Sequence, residues 1–457
     1  MWSQGQSQLG RRRLGYLRSL SGGDGEARSR SGPDAPSVRS RFARGLLIGA
    51  LLAGGLVAAD GRAPVLRVGT SGDYAPFSLK TGPNPSDFEG FDVALARAYA
   101  KARGLEVRFV SFRWPELNRA LLSDRFDLAM SGVTVRPERS AIGRFTVATA
   151  QTGAVVVARP KDLFLKVDDL NHQQVRIGVN AGGHLERVAL AHFPAATLVA
   201  IPDNAMVLAA LMDGAIDAAV TDDLEAPGWM LGHRDLALFG PFTVDRKAIF
   251  VRADREQLAS DLNSWLLERE ADGTLARLRE QYFEIPDSPK LASPLRALLA
   301  AIDERLALMP FVGIAKSRAS LPVAMPAREA VVVDAAVESV RVAAERQGVT
   351  PPAQDAVRKL FAAQIEAGKQ VQRAVLSDPV FDSLETVPDL QRELRPALLR
   401  IGERIAQLLV SLPTDLDRAH VIEAAHRELR SAQVSDASVL AIADAISELR
   451  TQPIPQD

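Results

Sequence analysis

The stretch DAAVTDDLEAPGW, residues 217–229, opens on an apolar run and ends by delivering three carboxylates, Asp222, Asp223 and Glu225. An apolar run, a cluster of acids and then Leu and Ala read as a buried strand feeding a helix. Two readings of the acids follow. Asp222-x-x-Glu225 has the spacing of a capping box, with Asp at the N-cap and Glu at N3, and carboxylates there suit the positive end of the helix dipole. Alternatively, the acids serve chemistry, because open α/β sheets bind ligands beyond the carboxyl ends of their strands. Local sequence favours the cap, so the wider chain has to decide.

Working outward, residues 64–285 repeat the same strand-then-helix pattern. VLRVGT leads to FDVALARAYAKARG, and EVRFVSF to ELNRALLSD and FDLAMSGVT. Later QVRIGVN leads to GGHLERVALAHF, ATLVAIP to NAMVLAALMDG, and AIDAAVT to DDLEAPGWML. This alternation predicts parallel sheets covered by helices. After Glu284 the pattern changes. EIPDSPKLASP carries three prolines and reads as a linker, and beyond it helix follows helix, which predicts an all-α bundle. A chain of 457 residues is also too long for one ordinary core.

The first 59 residues stand apart. A polar segment rich in Gly, Ser and Arg precedes Arg39, Arg41 and Arg44, an apolar run over 45–59, and the small residues Val57, Ala58 and Ala59. That order describes a secretory signal with cleavage near Ala59, after a long disordered leader. A membrane anchor is the other reading, but about fifteen residues rich in Gly and Ala are short for a bilayer. Residues 1–59 hold nine Arg, no Lys and three acids, a net of +6 against −1 for the whole chain, which leaves about −7 for the remainder. Such a balance argues against a nucleic-acid partner and requires local cations for any anionic ligand. No cysteine is present, and the six histidines show no metal spacing, so neither a metal nor a cofactor is expected.

GTSGDYAPFS, FEGFDVALARAYA, FDLAMSGVTVRPERS and DGAIDAAVTDD resemble the extracytoplasmic amino-acid-binding proteins of transport systems. The resemblance implies two α/β lobes closing on a ligand, with residues 64–150 and 243–287 in one lobe and 151–242 in the other. It also implies that Arg139 pairs with a ligand carboxylate beside Gly132 and Thr134, a geometry that suits a planar guanidinium. Tyr74 becomes an aromatic wall, and Asn180, Gly183 and His184 in NAGGH open a helix whose N–H groups can receive an anion. Read without its neighbours, NAGGH is a glycine-rich turn.

SFRWPELNRAL, VNAGGHLE and the ending TDDLEA narrow the match. With them the half resembles cyclohexadienyl dehydratases, exported enzymes on the same binding fold that convert prephenate to phenylpyruvate and arogenate to phenylalanine. Trp114-Pro115 and Glu225 carry this likeness, since transport receptors usually have a small or apolar residue in place of Glu225. Loss of hydroxide needs a proton in the transition state, and a carboxyl group with a raised pKa supplies one. The resemblance therefore makes Glu225 the general acid, with Asp222 where binding proteins hold a ligand's amino group. His184 stands where relatives have a small hydroxyl residue; it touches the substrate or points outward.

In AAIDERLALMPFVGIAKSRASLP, Arg305 and Lys316 are eleven residues apart, three helical turns, and so face one way with Leu308, Val312 and Ala315. Cations on an apolar stripe demand an anionic partner. With Arg328 and Glu329 in MPAREAVVV, Gln372 in FAAQIEAGKQVQ, and Arg395 in PDLQRELRP, this half resembles the all-helical chorismate mutases, in particular their secreted subclass. The resemblance implies a pericyclic conversion of chorismate to prephenate. Arg305, Arg328 and Arg395 then bind carboxylates, Lys316 and Gln372 address the ether oxygen, and Glu329 the ring hydroxyl. A satisfied core amide is the other reading of Gln372. Met325 and Gly368 depart from the pattern, standing where relatives have Asp and a hydroxyl residue.

These readings give a signal and leader over 1–59, a two-lobed dehydratase over 60–287, a linker at 288–292 and a helical mutase over 293–457. The expected protein is periplasmic, bifunctional, free of cofactors and nucleic acid, not membrane-bound after cleavage, and a homodimer through its helical half. An amino-acid receptor without turnover, fused to an active mutase, is the alternative.

Overall fold

The computed structural model describes residues 63–159, 166–284, 290–378, 387–431 and 433–449. The leader and export signal expected over 1–59 lie outside them. Thirteen strands are found among the described residues: β1 (Val65–Thr70), β2 (Asp73–Tyr74), β3 (Ser78–Lys80), β4 (Phe88–Glu89), β5 (Glu106–Ser111), β6 (Leu128–Ala129), β7 (Gly143–Thr152), β8 (Ala154–Ala158), β9 (Arg176–Asn180), β10 (Thr197–Ile201), β11 (Ala218–Asp222), β12 (Ala237–Phe239) and β13 (Asp245–Arg252). Two five-stranded sheets, ordered β5-β1-β6-β13-β7 and β10-β9-β11-β8-β12, form two lobes, and β2, β3 and β4 make a small third sheet.

Each lobe is covered by helices whose apolar faces turn inward. The helix Phe91–Arg103 buries Phe91, Leu95 and Tyr99, ends in Lys101 and Arg103, and stops at Gly104 with φ +63°. Its spacing is that of an amphipathic helix with a left-handed glycine cap. The whole of β8, AVVVA, is buried, as expected of a strand covered on both faces.

The expectation of parallel sheets needs correction. β1 runs parallel to β5 and β6, but β13 is antiparallel to both β6 and β7. In the second sheet β9 is parallel to β10 and β11, while β8 opposes β11 and β12. The reason is the double crossing. The chain leaves the first sheet at the end of β7, enters the second at β8, and returns from β12 to β13. The strands that enter each sheet at a crossing, β8 and β13, run against the βα repeats, while those that leave, β7 and β12, run with them.

Beyond residue 290 every described element is helical. Arg305 and Lys316 do not share one helix as expected: Pro294–Ala307 ends before Leu308, and Met309–Arg318 begins there with Pro310 in its first turn. Proline lacks the N–H that would continue the first helix. Leu308 is fully buried in the core, and Met309 takes the place on the cavity wall that a single helix would give to Leu308. The linker expected at 288–292 is not a free tether at its described end. Leu291 and Ala292 are buried, and the Ala292 N–H donates to Glu270 Oε2 at 3.0 Å.

The helical half packs on the first lobe through one continuous apolar core. β7 is the edge strand of its sheet, and an uncovered edge presents unpaired backbone groups. Arg404 and Arg400 of the helix Arg395–Leu409 cover it, donating to the carbonyls of Phe145 and Gly143 respectively. Asn263 Oδ1 accepts the Val147 N–H at 2.9 Å. Arg404 also pairs with Glu304, whose other oxygen accepts Ser140 Oγ at 2.7 Å. Glu304 and Arg404 are both buried, and removing one partner of a buried pair leaves an uncompensated charge. Glu304→Ala is expected to destabilise the chain by about 3–5 kcal/mol. Denaturant unfolding followed by fluorescence checks this; a loss below about 1 kcal/mol would refute the role of the pair.

Candidate active sites

The first site lies between the lobes. Tyr74, Trp114, Gly132, Thr134, Arg139 and Lys247 line a cavity of about 360 Å³, measured out to its mouth, from the first lobe and the return strand, and Asn180, Gly183, His184, Leu185 and Asn204 close it from the second lobe. The turn at Trp114 places the indole edge-on to Tyr74 at 5.8 Å, with Nε1 donating to Asp73. The Arg139 guanidinium, in the helix Pro137–Ile142, is buried 5.9 Å from the Trp114 ring. Gly132 has φ +64°, and a Cβ there would lie 2.6 Å from Tyr74, so only glycine admits the tyrosine.

The lobes touch in several places. A Cβ on Gly182, φ +70°, would strike Pro115 at 2.7 Å. Tyr74 OH donates to Asp222 Oδ2, and Asn204 Nδ2 donates to the Asp73 carbonyl at 3.0 Å. Part of the anion nest read in NAGGH is already used, because the Gly182 N–H donates to Glu186. Gly183 and Asn180 do face the cavity. His184 faces it too, with Nε2 2.9 Å from Asp245 Oδ1 on β13, which sets aside the outward-pointing alternative. Burial lowers the His184 pKa, opposed by the Asp245 charge.

The acids of residues 217–229 resolve into three different roles. Asp222 Oδ1 accepts the N–H groups of Leu224 and Glu225 at 3.1 and 3.0 Å, which closes the turn after β11. The expected capping box is not formed: the helix Ala226–Met230 takes Glu225, not Asp222, as its N-cap, and the Glu225 side chain makes no capping bond. Its Oε1 accepts Asn204 Nδ2 at 2.7 Å, and its Oε2 Thr221 Oγ1 at 2.5 Å. Burial first, and the Asp222 charge second, push the Glu225 pKa well above the ordinary carboxyl value. Asp223 ties its Oδ1 to the Gly153 N–H at the crossing, and burial pushes its pKa up to about 6. Asp222 and Glu225 stand directly behind the cavity wall, screened by Tyr74, Lys247 and Asn204.

The second site lies inside the helical bundle. Arg305, Lys316, Arg328, Glu329, Gln372 and Arg395, all expected there from sequence, line one cavity of about 1050 Å³ measured out to its mouth. Lys369 joins them, which gives five cations and one acid among the described lining residues. Arg305 is buried with one described bond, to the Leu398 carbonyl, and burial alone pulls its pKa down to about 10. A bound carboxylate would relieve that cost. Burial also lowers the pKa of Lys316, whose Nζ donates to the Val323 carbonyl at 2.7 Å.

Glu329 is more committed than expected for a hydroxyl acceptor. Its Oε1 takes the Met325 N–H and its Oε2 the Lys369 ammonium, at 2.8 and 3.1 Å. Gln372 Nε2 has the Met309 sulfur at 3.6 Å, and its Oε1 has no described partner. The reading of Gln372 as a satisfied core amide is therefore not what the geometry gives. The two departures also acquire neighbours. Met325 lines the cavity as N-cap of the helix Pro326–Gln347, and a Cβ at Gly368 would meet the Met309 sulfur at 2.9 Å.

Sequence reading missed Lys247, Asn204, Lys369 and Gln364. Lys247 sits in DRKAIFVR, a strand buried from Lys247 to Val251, so no alternation marked it as facing the cleft. Gln364 is fully buried on the wall of the helical-bundle cavity with neither amide atom partnered among the described residues. A polar residue on the apolar face of FAAQIEAGKQVQ was the clue to it.

Comparison with known proteins now bears on both halves. The bacterial extracellular solute-binding proteins, family 3, match residues 66–285, and chorismate mutase type II matches residues 296–373. Cyclohexadienyl dehydratase of Pseudomonas aeruginosa is 32% identical over 225 residues, covering 48% of this chain and 83% of that protein. The chain belongs to the family 3 solute-binding proteins. It carries a chorismate mutase type II domain behind that fold. An arginine-binding protein of an ABC transporter in Escherichia coli is 29% identical over 244 residues, 52% of this chain and 98% of its own. A solved ancestral amino-acid-binding protein, described as a precursor of cyclohexadienyl dehydratase, is 32% identical, with 48% and 95% of the chains covered and a TM-score of 0.45. Within the mutase match fall Arg305, Lys316, Arg328, Glu329 and Gln372, whereas Arg395 lies past its end. No helix among the described residues of this solute-binding family member is long and apolar enough to cross a membrane.

Proposed function

We propose that the chain is an exported bifunctional enzyme, its helical domain converting chorismate to prephenate and its two-lobed domain converting prephenate to phenylpyruvate. The observation that carries the reading is Glu225: a buried carboxyl beside Asp222, its pKa pushed up by burial, immediately behind a cavity lined by Arg139 and Lys247.

In the helical cavity, Arg305, Arg328 and Arg395 hold the two carboxylates of chorismate in the compact diaxial conformer. Lys316 and Gln372 stabilise the charge that develops on the ether oxygen as its C–O bond breaks, and the Gln372 amide exchanges its weak sulfur contact for that oxygen. Electrons and atoms stay within the substrate, so no base or nucleophile is required.

In the cleft, Arg139 takes a substrate carboxylate. The ring carboxylate leaves as carbon dioxide, its electron pair enters the ring, and the C–O bond opposite breaks. Glu225 gives its proton to the departing hydroxide, which leaves as water. Asn204 must yield Oε1 to the substrate for this transfer. Arogenate, which would give phenylalanine by the same steps, is the second substrate to test. A dimer through the helical half would add nothing essential to either cavity, since one chain lines both among the described residues.

The receptor alternative rests on the likeness to an arginine-binding protein. One time course separates the two: protein lacking residues 1–59 is given chorismate at neutral pH, and prephenate and phenylpyruvate are followed. Prephenate that rises and then falls as phenylpyruvate appears supports both activities. Prephenate that accumulates, decaying no faster than in an enzyme-free control, would leave a mutase fused to a binding domain.

A further inference from the structure

Lys247 is 3% exposed, projects from β13 into the cleft, and approaches Tyr74 OH at 2.9 Å, Thr134 Oγ1 at 3.0 Å and Asp222 Oδ2 at 3.4 Å. It therefore sits where it neutralises the acid nearest the cavity. Asp222 has nothing left to offer a second cation. One oxygen is taken by Tyr74 OH and Lys247, the other by two backbone N–H groups.

The neighbouring acids are equally occupied. Asp245 is paired with His184 and accepts Thr243 Oγ1 at 2.7 Å. Glu225 accepts from Asn204 and Thr221. On the described cavity wall stand Arg139, Lys247 and His184, and no carboxylate at all.

We infer that Lys247 makes this cleft selective for a 2-keto acid over the matching 2-amino acid, so that prephenate is preferred to arogenate and phenylpyruvate to phenylalanine. The inference rests on the proposed dehydratase reading and deepens it. A keto acid brings carboxylates to Arg139 and Lys247 and leaves the Lys247–Asp222 pair intact. An amino acid brings an ammonium group beside Arg139 and Lys247, where its natural acceptor is already spent. A like charge at such a buried contact opposes binding strongly, which corresponds to a preference of about a hundredfold or more.

The test compares kcat/KM for prephenate and arogenate on the full chain, with Lys247→Met and Lys247→Arg beside it. The parent is expected to favour prephenate about a hundredfold. Lys247→Met should cut that ratio at least about tenfold by raising arogenate turnover relative to prephenate, since Asp222 is then free to take the ammonium, and Lys247→Arg should keep most of it. Chorismate mutase activity of the same samples reports that each variant is folded. Equal turnover of both substrates by the parent, or a ratio unchanged in Lys247→Met, overturns the inference.

Titration of the parent with the two products, phenylpyruvate and phenylalanine, reads the same selectivity without catalysis. Phenylpyruvate is expected to bind more tightly, and phenylalanine binding as tightly or more so overturns the inference even where dehydration is seen. If neither substrate turns over but phenylpyruvate still binds preferentially, the dehydratase reading falls while the selectivity stands.

Discussion

Glu225→Gln is expected to lower kcat for phenylpyruvate formation by about 10²–10⁴-fold, so that prephenate made from chorismate accumulates. The amide keeps the size of the carboxyl group and can still meet Asn204 and Thr221, so folding and mutase activity should persist. What it lacks is a transferable proton. The pH dependence carries the same signature. Glu225 has a pKa raised by burial and by Asp222, so the competent, protonated form prevails below that value and is lost as pH rises through it. Dehydration of supplied prephenate should therefore fall on the alkaline side in the parent. The same raised pKa bears on stability. The folded state favours the neutral carboxyl, so its contribution is present in full below the unfolded value of about 4.3 and is lost as pH rises through the folded one. Because prephenate decays spontaneously in acid, an enzyme-free control runs at each pH. Phenylpyruvate formation in Glu225→Gln at the parental rate would return residues 217–229 to the role of a turn.

Lys316→Met is expected to lower kcat/KM for chorismate by about 10²–10³-fold, while turnover of supplied prephenate in the other cavity continues. Methionine fills nearly the same volume, and the bond lost, to the Val323 carbonyl, ties down only a loop. Charge at the ether oxygen is what disappears. Burial lowers the pKa of Lys316, and the nearby cations Arg395 and Lys369 lower it further against the opposing charge of Glu329. Mutase activity in the parent should consequently fall as pH rises through that lowered value. Continuous loss of chorismate absorbance measures both effects. A variant within about tenfold of the parent would move the ether-oxygen role away from Lys316, with Gln372 as the remaining donor.

Two kinds of information separate along this chain. Periodicity and short motifs sufficed for the two-lobed α/β half and for the change to helices after Glu284, and the family resemblance pointed to many residues that line each cavity, though not to Asn204, Gln364 or Lys369. Arg139, Asn180 and His184 lie at element ends, where strand and helix patterns declare themselves. Arg305 and Lys316 were legible because a cation on an apolar stripe is costly to bury unless an anion meets it there.

Tertiary structure alone decided the rest. Lys247 enters the cleft from a crossing strand, and its partner Asp222 is 25 residues away in sequence on the other lobe, so no local period links them. The break at Leu308, the mixed sheets and the arginines that cover the edge of β7 likewise depend on what the chain meets after folding. The acids of residues 217–229 make the distinction plainest. Their spacing is compatible with a capping box, and spacing is what sequence records. Whether a carboxyl group turns back to its own helix or reaches Asn204 and Thr221 is set by burial and by available partners, which only the packed lobes supply.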